Sequence, residues 1–99
     1  MRVWIYGKNL KQVQQIEGSM IHSCDHVVGT SVCAGEDAAF PQSGLTAAIY
    51  SAMRAEIDQL IISDCGLLGS EIQQQQMVEL FQSYGVSIKS ASNCGINSS

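Results

Sequence analysis

The sequence predicts a single three-layer α/β/α domain built on a four-stranded, mostly parallel sheet. Segments of strand character alternate along the chain with segments of helical period, as in parallel α/β folds. The run Leu60-Ile61-Ile62 has no polar interruption, which is typical of a strand buried on both faces. A length of 99 residues with 45% apolar side chains is enough for one core without metal or disulfide staples.

The first strand and helix are predicted at the start of the chain. Val3–Tyr6 is a β-rich run closed by Gly7, and its early position favours a central or early-paired strand. Apolar side chains then recur at spacings of three and four over residues 10–24, which predicts a helix. Asn9 can cap this helix with its side-chain oxygen. A second short strand is predicted at His26–Gly29.

A long connection precedes the clearest helical pattern. Residues 30–43 contain the only proline and are predicted to form a loop, which is longer than most connections in compact domains. Within residues 45–53, every position of the inner stripe of the predicted helix carries an apolar side chain. Ser43 is the predicted N-cap of this helix. The third strand is predicted at Gln59–Ser63.

The last helix and strand follow a glycine-containing turn at residues 64–69. Ser70 is the predicted N-cap of the helix, and Gly85 ends it by adopting the left-handed conformation. Its inner stripe is predicted to comprise Ile72, Met77, Leu80, Phe81 and Tyr84. Residues 86–88 form the fourth predicted strand. The domain is therefore expected to span residues 1–91, with residues 92–99 as a flexible polar tail.

Charge and cysteine usage restrict the function classes. The net charge is −4, and the five basic residues are scattered, so nucleic-acid binding by this chain alone is not expected. Only 14% of residues are charged, which indicates either an uncharged polar surface or a face that is covered by a partner. The start of the chain has no signal-peptide pattern, and no segment is long and apolar enough to cross a membrane. No cysteines are spaced C-x-x-C. The expected location is therefore the cytoplasm.

Five stretches of the chain together resemble one known family. They are Met1–Lys8, Ser43–Leu45, Ile57–Ile62, Gly66–Ser70 and Leu80–Ile88. Their order and character are similar to the N-terminal catalytic domain of serine recombinases, the resolvase/invertase family. The resemblance covers nearly the whole chain and implies the family's α/β fold.

The same resemblance implies that the family's active-site residues have been replaced. Its Tyr-x-Arg-x-Ser motif falls on Tyr6, Lys8 and Leu10, so only the tyrosine is retained. Leucine has no oxygen with which to attack a phosphodiester, and lysine lacks the bidentate fork of arginine. The family's other arginine and aspartate positions fall on the vestigial residues Gln42, Gly66, Leu67 and Ser70.

These replacements predict a catalytically inactive, pseudoenzyme-like module. Phosphoryl transfer depends on positioning and on cations at the phosphate, and loss of one such donor already costs about 10²–10³ in rate. The expected role is association with a protein partner or with itself, in a regulatory or structural function related to DNA recombination. A further alternative is a fragment of a larger DNA-processing protein whose basic parts lie elsewhere.

A binding function from another class remains open. Lys8, Gly69 and Ser70 could bind a small anion beyond the first strand, at the start of the last helix. No cofactor is expected. His22–His26 contains metal-ligand side chains, but it crosses a predicted helix end, so no metal site is expected.

Overall fold

Seven elements follow one another in the part of the chain that the computed structural model describes, which is residues 1–19, 21, 23–32, 43–63, 68 and 70–91. They are β1 (Arg2–Gly7), α1 (Leu10–Ser19), β2 (His26–Val32), α2 (Ser43–Met53), β3 (Gln59–Ile62), α3 (Glu71–Ser83) and β4 (Ser87–Ser90). The strands form one sheet in the order β2-β1-β3-β4, and every pair is parallel. The predicted four-stranded parallel sheet and the central position of β1 are confirmed.

Two apolar clusters lie on opposite faces of the sheet. On one face, Val13 and Ile16 of α1 pack against Val3, Ile5 and Ile61. The other face carries the larger core, which α2 and α3 cover. Its buried side chains are Tyr6, Leu45, Ala48, Ala52, Ile57, Leu60, Ile62, Leu68, Phe81, Val86 and Ile88. The predicted three layers therefore follow from the alternation of side chains along β1 and β3.

The second strand is longer than predicted. Thr30, Ser31 and Val32, which we assigned to a loop, pair with Ile5, Tyr6 and Gly7 of β1. A polar strand segment of this kind is stable here because Ser31 has partners on both sides. Its hydroxyl oxygen lies 3.0 Å from Trp4 Nε1, which donates to it, and 3.0 Å from the Gly44 carbonyl, which accepts from it.

The first helix is shorter than predicted. It ends at Ser19, not near Cys24, and its last two residues, Gly18 and Ser19, are weak helix formers. The chain beyond it is held by the N-terminus, because the Met1 ammonium group donates to the Cys24 carbonyl at 3.2 Å. The amide of His26 then donates to the Met1 carbonyl at 2.8 Å. These contacts draw residues 24–26 into line with β1 and away from a helical course.

The inner stripes of α2 and α3 are narrower than the sequence period predicts. Met53, Ile72 and Tyr84 were expected inside, but each is exposed. Helix α3 reaches the core through Phe81, with Met77 and Val78 packed against the same cluster. Each helix covers only part of one sheet face, so apolar residues at the margins of the stripe remain in solvent. The predicted left-handed conformation of Gly85 is confirmed, with φ at +78°.

Candidate functional site at the carboxyl ends of the strands

The carboxyl ends of β1 and β3 meet at Lys8 and Ser63. The Ser63 amide donates to the Tyr6 carbonyl at 3.1 Å, which continues the pairing of the two strands. The Lys8 amide lies 3.0 Å from Gln12 Oε1 and 3.3 Å from Ser63 Oγ, so both oxygens can accept from it. Ligands of parallel α/β sheets bind at this edge, and it is where the vestigial positions at the end of β1 lie.

Tyr6 is a core residue in this structure. Its relative exposure is 0%, and it belongs to the larger apolar cluster together with Leu45. A Cβ atom on Gly44 would come within 2.8 Å of the Tyr6 ring, so the start of α2 lies directly against it. The retained tyrosine therefore has no surface from which to contact a substrate in this conformation.

Leu10, in contrast to Tyr6, is exposed to solvent. It is the first residue of α1, two positions after Lys8, and its relative exposure is 62%. Asn9 precedes it as the cap that the sequence predicted, because Asn9 Oδ1 accepts from the Gln12 amide at 2.9 Å. The side chain at the vestigial nucleophile position is thus both apolar and accessible.

Two glutamine side chains accept hydrogen bonds from backbone amides at the starts of α1 and α3, the helices that follow the paired strands β1 and β3. Gln12 accepts from Lys8 at α1 as described. At α3, the Ser70 amide donates to Gln73 Oε1 at 2.8 Å, and the Gln73 amide donates to Ser70 Oγ at 3.4 Å. This capping box confirms Ser70 as the N-cap. The sequence signal for both glutamines, a capping residue followed three positions later by Gln, was present but not used in the prediction.

Four of the predicted site positions, Gln42, Gly66, Leu67 and Gly69, lie outside the described residues. Of the predicted anion-binding set, Lys8 and Ser70 are described, and both are exposed. The described hydrogen bonds of Ser70 go to its own helix, to Gln73 and Gln74, and not to Lys8.

A groove of about 240 Å³ lies beside this edge, between α1 and the ends of β3 and β4, with Ile16 at its base. Gln12, Gln15 and Ser19 line it from the helix, and Ser63 and Ala91 line it from the strand ends. None of these residues was a predicted site residue. The spacing of three and four along α1 could have revealed the polar stripe, but its position opposite Ser63 depends on the tertiary structure.

The ion pair with the strongest described geometry lies at the other end of the strands. Arg2 and Asp58 form two side-chain contacts, Nε to Oδ2 at 3.2 Å and the terminal nitrogen to Oδ1 at 3.1 Å. The Arg2 amide also donates to Asp58 Oδ2 at 2.9 Å. The hydrogen bonds from Arg2 lower the pKa of the Asp58 carboxyl to about 2. The guanidinium group is therefore engaged at the edge opposite to Lys8 and Leu10.

Within the described ranges, no three His, Cys, Asp or Glu side chains are grouped so that they could hold a metal ion. The same ranges contain no helix long and apolar enough to cross a membrane.

Comparison with known proteins identifies the fold. Neither a family model nor a curated protein matches the sequence. The structure, however, is similar to the crystal structure of the C-terminal catalytic domain of ISC1926 TnpA, an IS607-like serine recombinase. The TM-score is 0.78 at 16% identity, and the match covers 98% of this chain and 71% of the recombinase domain.

The element order and the all-parallel sheet define a three-layer α/β domain. Within that class, the chain has the fold of a serine recombinase catalytic domain. The likeness that the sequence motifs suggested is thereby confirmed at the level of the fold.

Proposed function

We propose that this chain is a recombinase-like domain that does not cleave DNA and that acts through protein association. The observation that carries the proposal is Leu10. The sequence motif aligns it with the recombinase nucleophile, and it stands exposed at the start of α1 where a hydroxyl would be needed.

The chemistry around Leu10 supports the absence of cleavage. Phosphoryl transfer by such a domain requires a nucleophilic oxygen and several cations around the phosphate. Lys8 is the basic side chain that this motif supplies at the end of β1, and Gln42, Leu67 and Ser70 stand where the family has arginines. Tyr6, the retained residue, is buried. A net charge of −4 also disfavours contact with a polyanion.

Association is supported by the composition of the surface. A chain with 14% charged residues has few charged side chains to desolvate when an apolar patch is covered. Exposed large apolar residues occur on β2 and on all three helices, among them Leu10, Val32, Tyr50 and Ile72. Exposed apolar side chains mark a protein contact where they form one contiguous patch.

The cleavage part of the proposal is tested with supercoiled plasmid at low salt. We expect neither nicked DNA nor a covalent protein–DNA product after denaturing electrophoresis. A matched variant, Leu10→Ser, returns the hydroxyl without the cations, and we expect it to be inactive as well. Nicking by the unmodified chain that is lost in Lys8→Ala would overturn the proposal.

Anion binding at Lys8, Gly69 and Ser70 is the alternative function. It has less support, because Gln12 and Gln73 already accept from the amides of Lys8 and Ser70. A thermal-shift series with inorganic phosphate and nucleotides tests it. A saturable rise of the melting temperature that Lys8→Ala abolishes would favour this alternative over association.

A further inference from the structure

The groove between α1 and the ends of β3 and β4 carries hydrogen-bonding groups that the described contacts leave unused. Gln12 turns its Oε1 to the Lys8 amide, which can only donate, so the two N–H bonds of the Gln12 side chain remain for another acceptor. Ser63 Oγ can accept from the same amide, which leaves the hydroxyl hydrogen of Ser63 as a donor. Ser19 donates its hydroxyl to the Gln15 carbonyl at 2.7 Å and keeps its oxygen lone pairs as acceptors.

Gln15 presents its whole side-chain amide at this groove. The side chain is exposed, and within the described part of the chain its carboxamide has no hydrogen-bond partner. A carboxamide holds an acceptor and two donor hydrogens in one plane, so it can pair with a ligand edge that carries an adjacent donor and acceptor. Ile16, the next residue, adds an apolar surface at the base of the groove.

The charge and the size of the groove restrict the ligand that would fit. The described residues that line it include none with an acidic or basic side chain. A phosphate or a metal ion would have no partner charge there, and an ion taken out of water without one is costly. The volume of about 240 Å³ is smaller than the sites of drug-sized ligands, which have about 300–1,000 Å³. The ligand that fits is therefore small and neutral, with a hydrogen-bonding edge and an apolar face.

The groove lies where parallel α/β sheets bind their ligands. Strand β1 has β2 on one side and β3 on the other, and α1 and α2 cover opposite faces of the sheet. The strand order therefore reverses between β1 and β3, and a crevice beyond the carboxyl ends of two such strands is the usual binding position. Ser63, directly after β3, stands at this crevice and lines the groove.

We propose that this groove binds an uncharged purine nucleoside, with the Gln15 carboxamide on the adenine edge and Ile16 against the ring. Adenine carries a donor at N6 beside an acceptor at N7, and a glutamine amide pairs with both at once. Serine hydroxyls contact donors and acceptors alike, so Ser19 and Ser63 suit the remaining polar groups of a nucleoside. The proposal is independent of the association role proposed above and adds a ligand to the domain.

The experiment is a titration of the isotope-labelled full chain with adenosine, followed by proton–nitrogen correlation NMR. We expect saturable shifts of the side-chain amide signals of Gln12 and Gln15 and of the backbone amides of Ser19, Ser63 and Ala91. Adenosine monophosphate should bind no more tightly than adenosine, because the groove offers no cation to its phosphate. Absence of saturable shifts, shifts that lie away from the groove, or tighter binding of the monophosphate would overturn the proposal.

Two adjacent glutamines of α1 supply a matched pair of variants. Gln15→Met removes the carboxamide and keeps the length of the side chain, and we expect the dissociation constant for adenosine to rise by more than about tenfold. Gln14→Met makes the same change at an exposed position outside the lining and should leave the dissociation constant unchanged. Methionine is a good helix former, so both variants should keep the fold, which circular dichroism checks. Equal dissociation constants for the two variants, or equal binding of glucose at the same residues, would reject the recognition of an adenine edge by Gln15.

The outcomes separate this inference from the proposed function. Failure of adenosine to bind rejects the nucleoside site and leaves the noncleaving association role intact. Plasmid nicking rejects the noncleaving role and has no bearing on the groove. Shifts at Lys8 and Ser70 with inorganic phosphate, and none in the groove with adenosine, would reject the nucleoside site in favour of the anion alternative.

Discussion

The two outer strands are attached to the same sheet by different kinds of contact. Strand β4 is anchored by a large apolar side chain, since Ile88 is buried in the main core. Strand β2 is held by close fit and hydrogen bonding, because Trp4 packs against Gly29 and donates to Ser31. A strand anchored by its side chain can be short and charged on its outer face. Strand β2 is longer and leaves Val28 and Val32 exposed, while Val27 packs against the cluster under α1.

The largest loss of stability is expected from truncating Ile88, the side chain that anchors β4. Ile88→Ala deletes buried methyl groups and leaves a cavity in the cluster that also contains Leu60 and Phe81, and such substitutions typically cost about 2–5 kcal/mol. Urea unfolding followed by circular dichroism measures the loss. Lys89→Ala on the exposed face of the same strand is the matched control and should change stability by less than about 0.5 kcal/mol. Equal losses for the two variants would mean that Ile88 is not the anchor.

A smaller effect is expected when the close fit of β2 is disturbed. In Gly29→Ala the new Cβ would clash with Trp4 Cζ3, so the indole or the strand must shift. Overpacking of this kind costs about 1–3 kcal/mol. Gly18→Ala in α1 is the control, because nothing lies within 4 Å of its Cβ, and it should gain up to about 1 kcal/mol through helix propensity. Chemical denaturation of both variants tests the contrast, and a neutral Gly29→Ala would contradict it.

The smallest effect on stability is expected from the Arg2–Asp58 ion pair, which joins β1 to the β4 side of the sheet. The Asp58 carbonyl accepts from the Ser87 amide at the start of β4, and its carboxylate binds Arg2. The pKa of this carboxyl falls from 3.8 to about 2 on folding, so its contribution to stability is complete above pH 3.8. That contribution is lost as the pH falls towards 2. Because both side chains are largely exposed, salt should weaken it.

Thermal unfolding between pH 2 and 6 measures this dependence. The unmodified chain should lose melting temperature at the acid end, and Asp58→Asn should show a shallower dependence there. Glu79→Gln, an exposed position on α3, should keep the full dependence. Parallel curves for the unmodified chain and Asp58→Asn would show that the pair does not contribute.

Some features of the candidate site follow from local sequence patterns, and others depend on tertiary contacts. The N-cap at Asn9, the cap at Ser70 and the position of Leu10 at a helix start all follow from short-range patterns. The burial of Tyr6 does not, because it depends on Gly44 of a distant segment approaching the ring. The groove likewise needs α1 to lie opposite Ser63 at the end of β3.

The sequence by itself determined the order of elements, the parallel sheet and the apolar residue at the vestigial nucleophile position. These depend on periodicity, capping and residue identity, which act over a few residues. The tertiary structure alone decided that β2 continues through Val32, because the hydroxyl of Ser31 finds partners in Trp4 and Gly44. It also decided which apolar side chains stay in solvent, since burial depends on how much of each sheet face a helix covers.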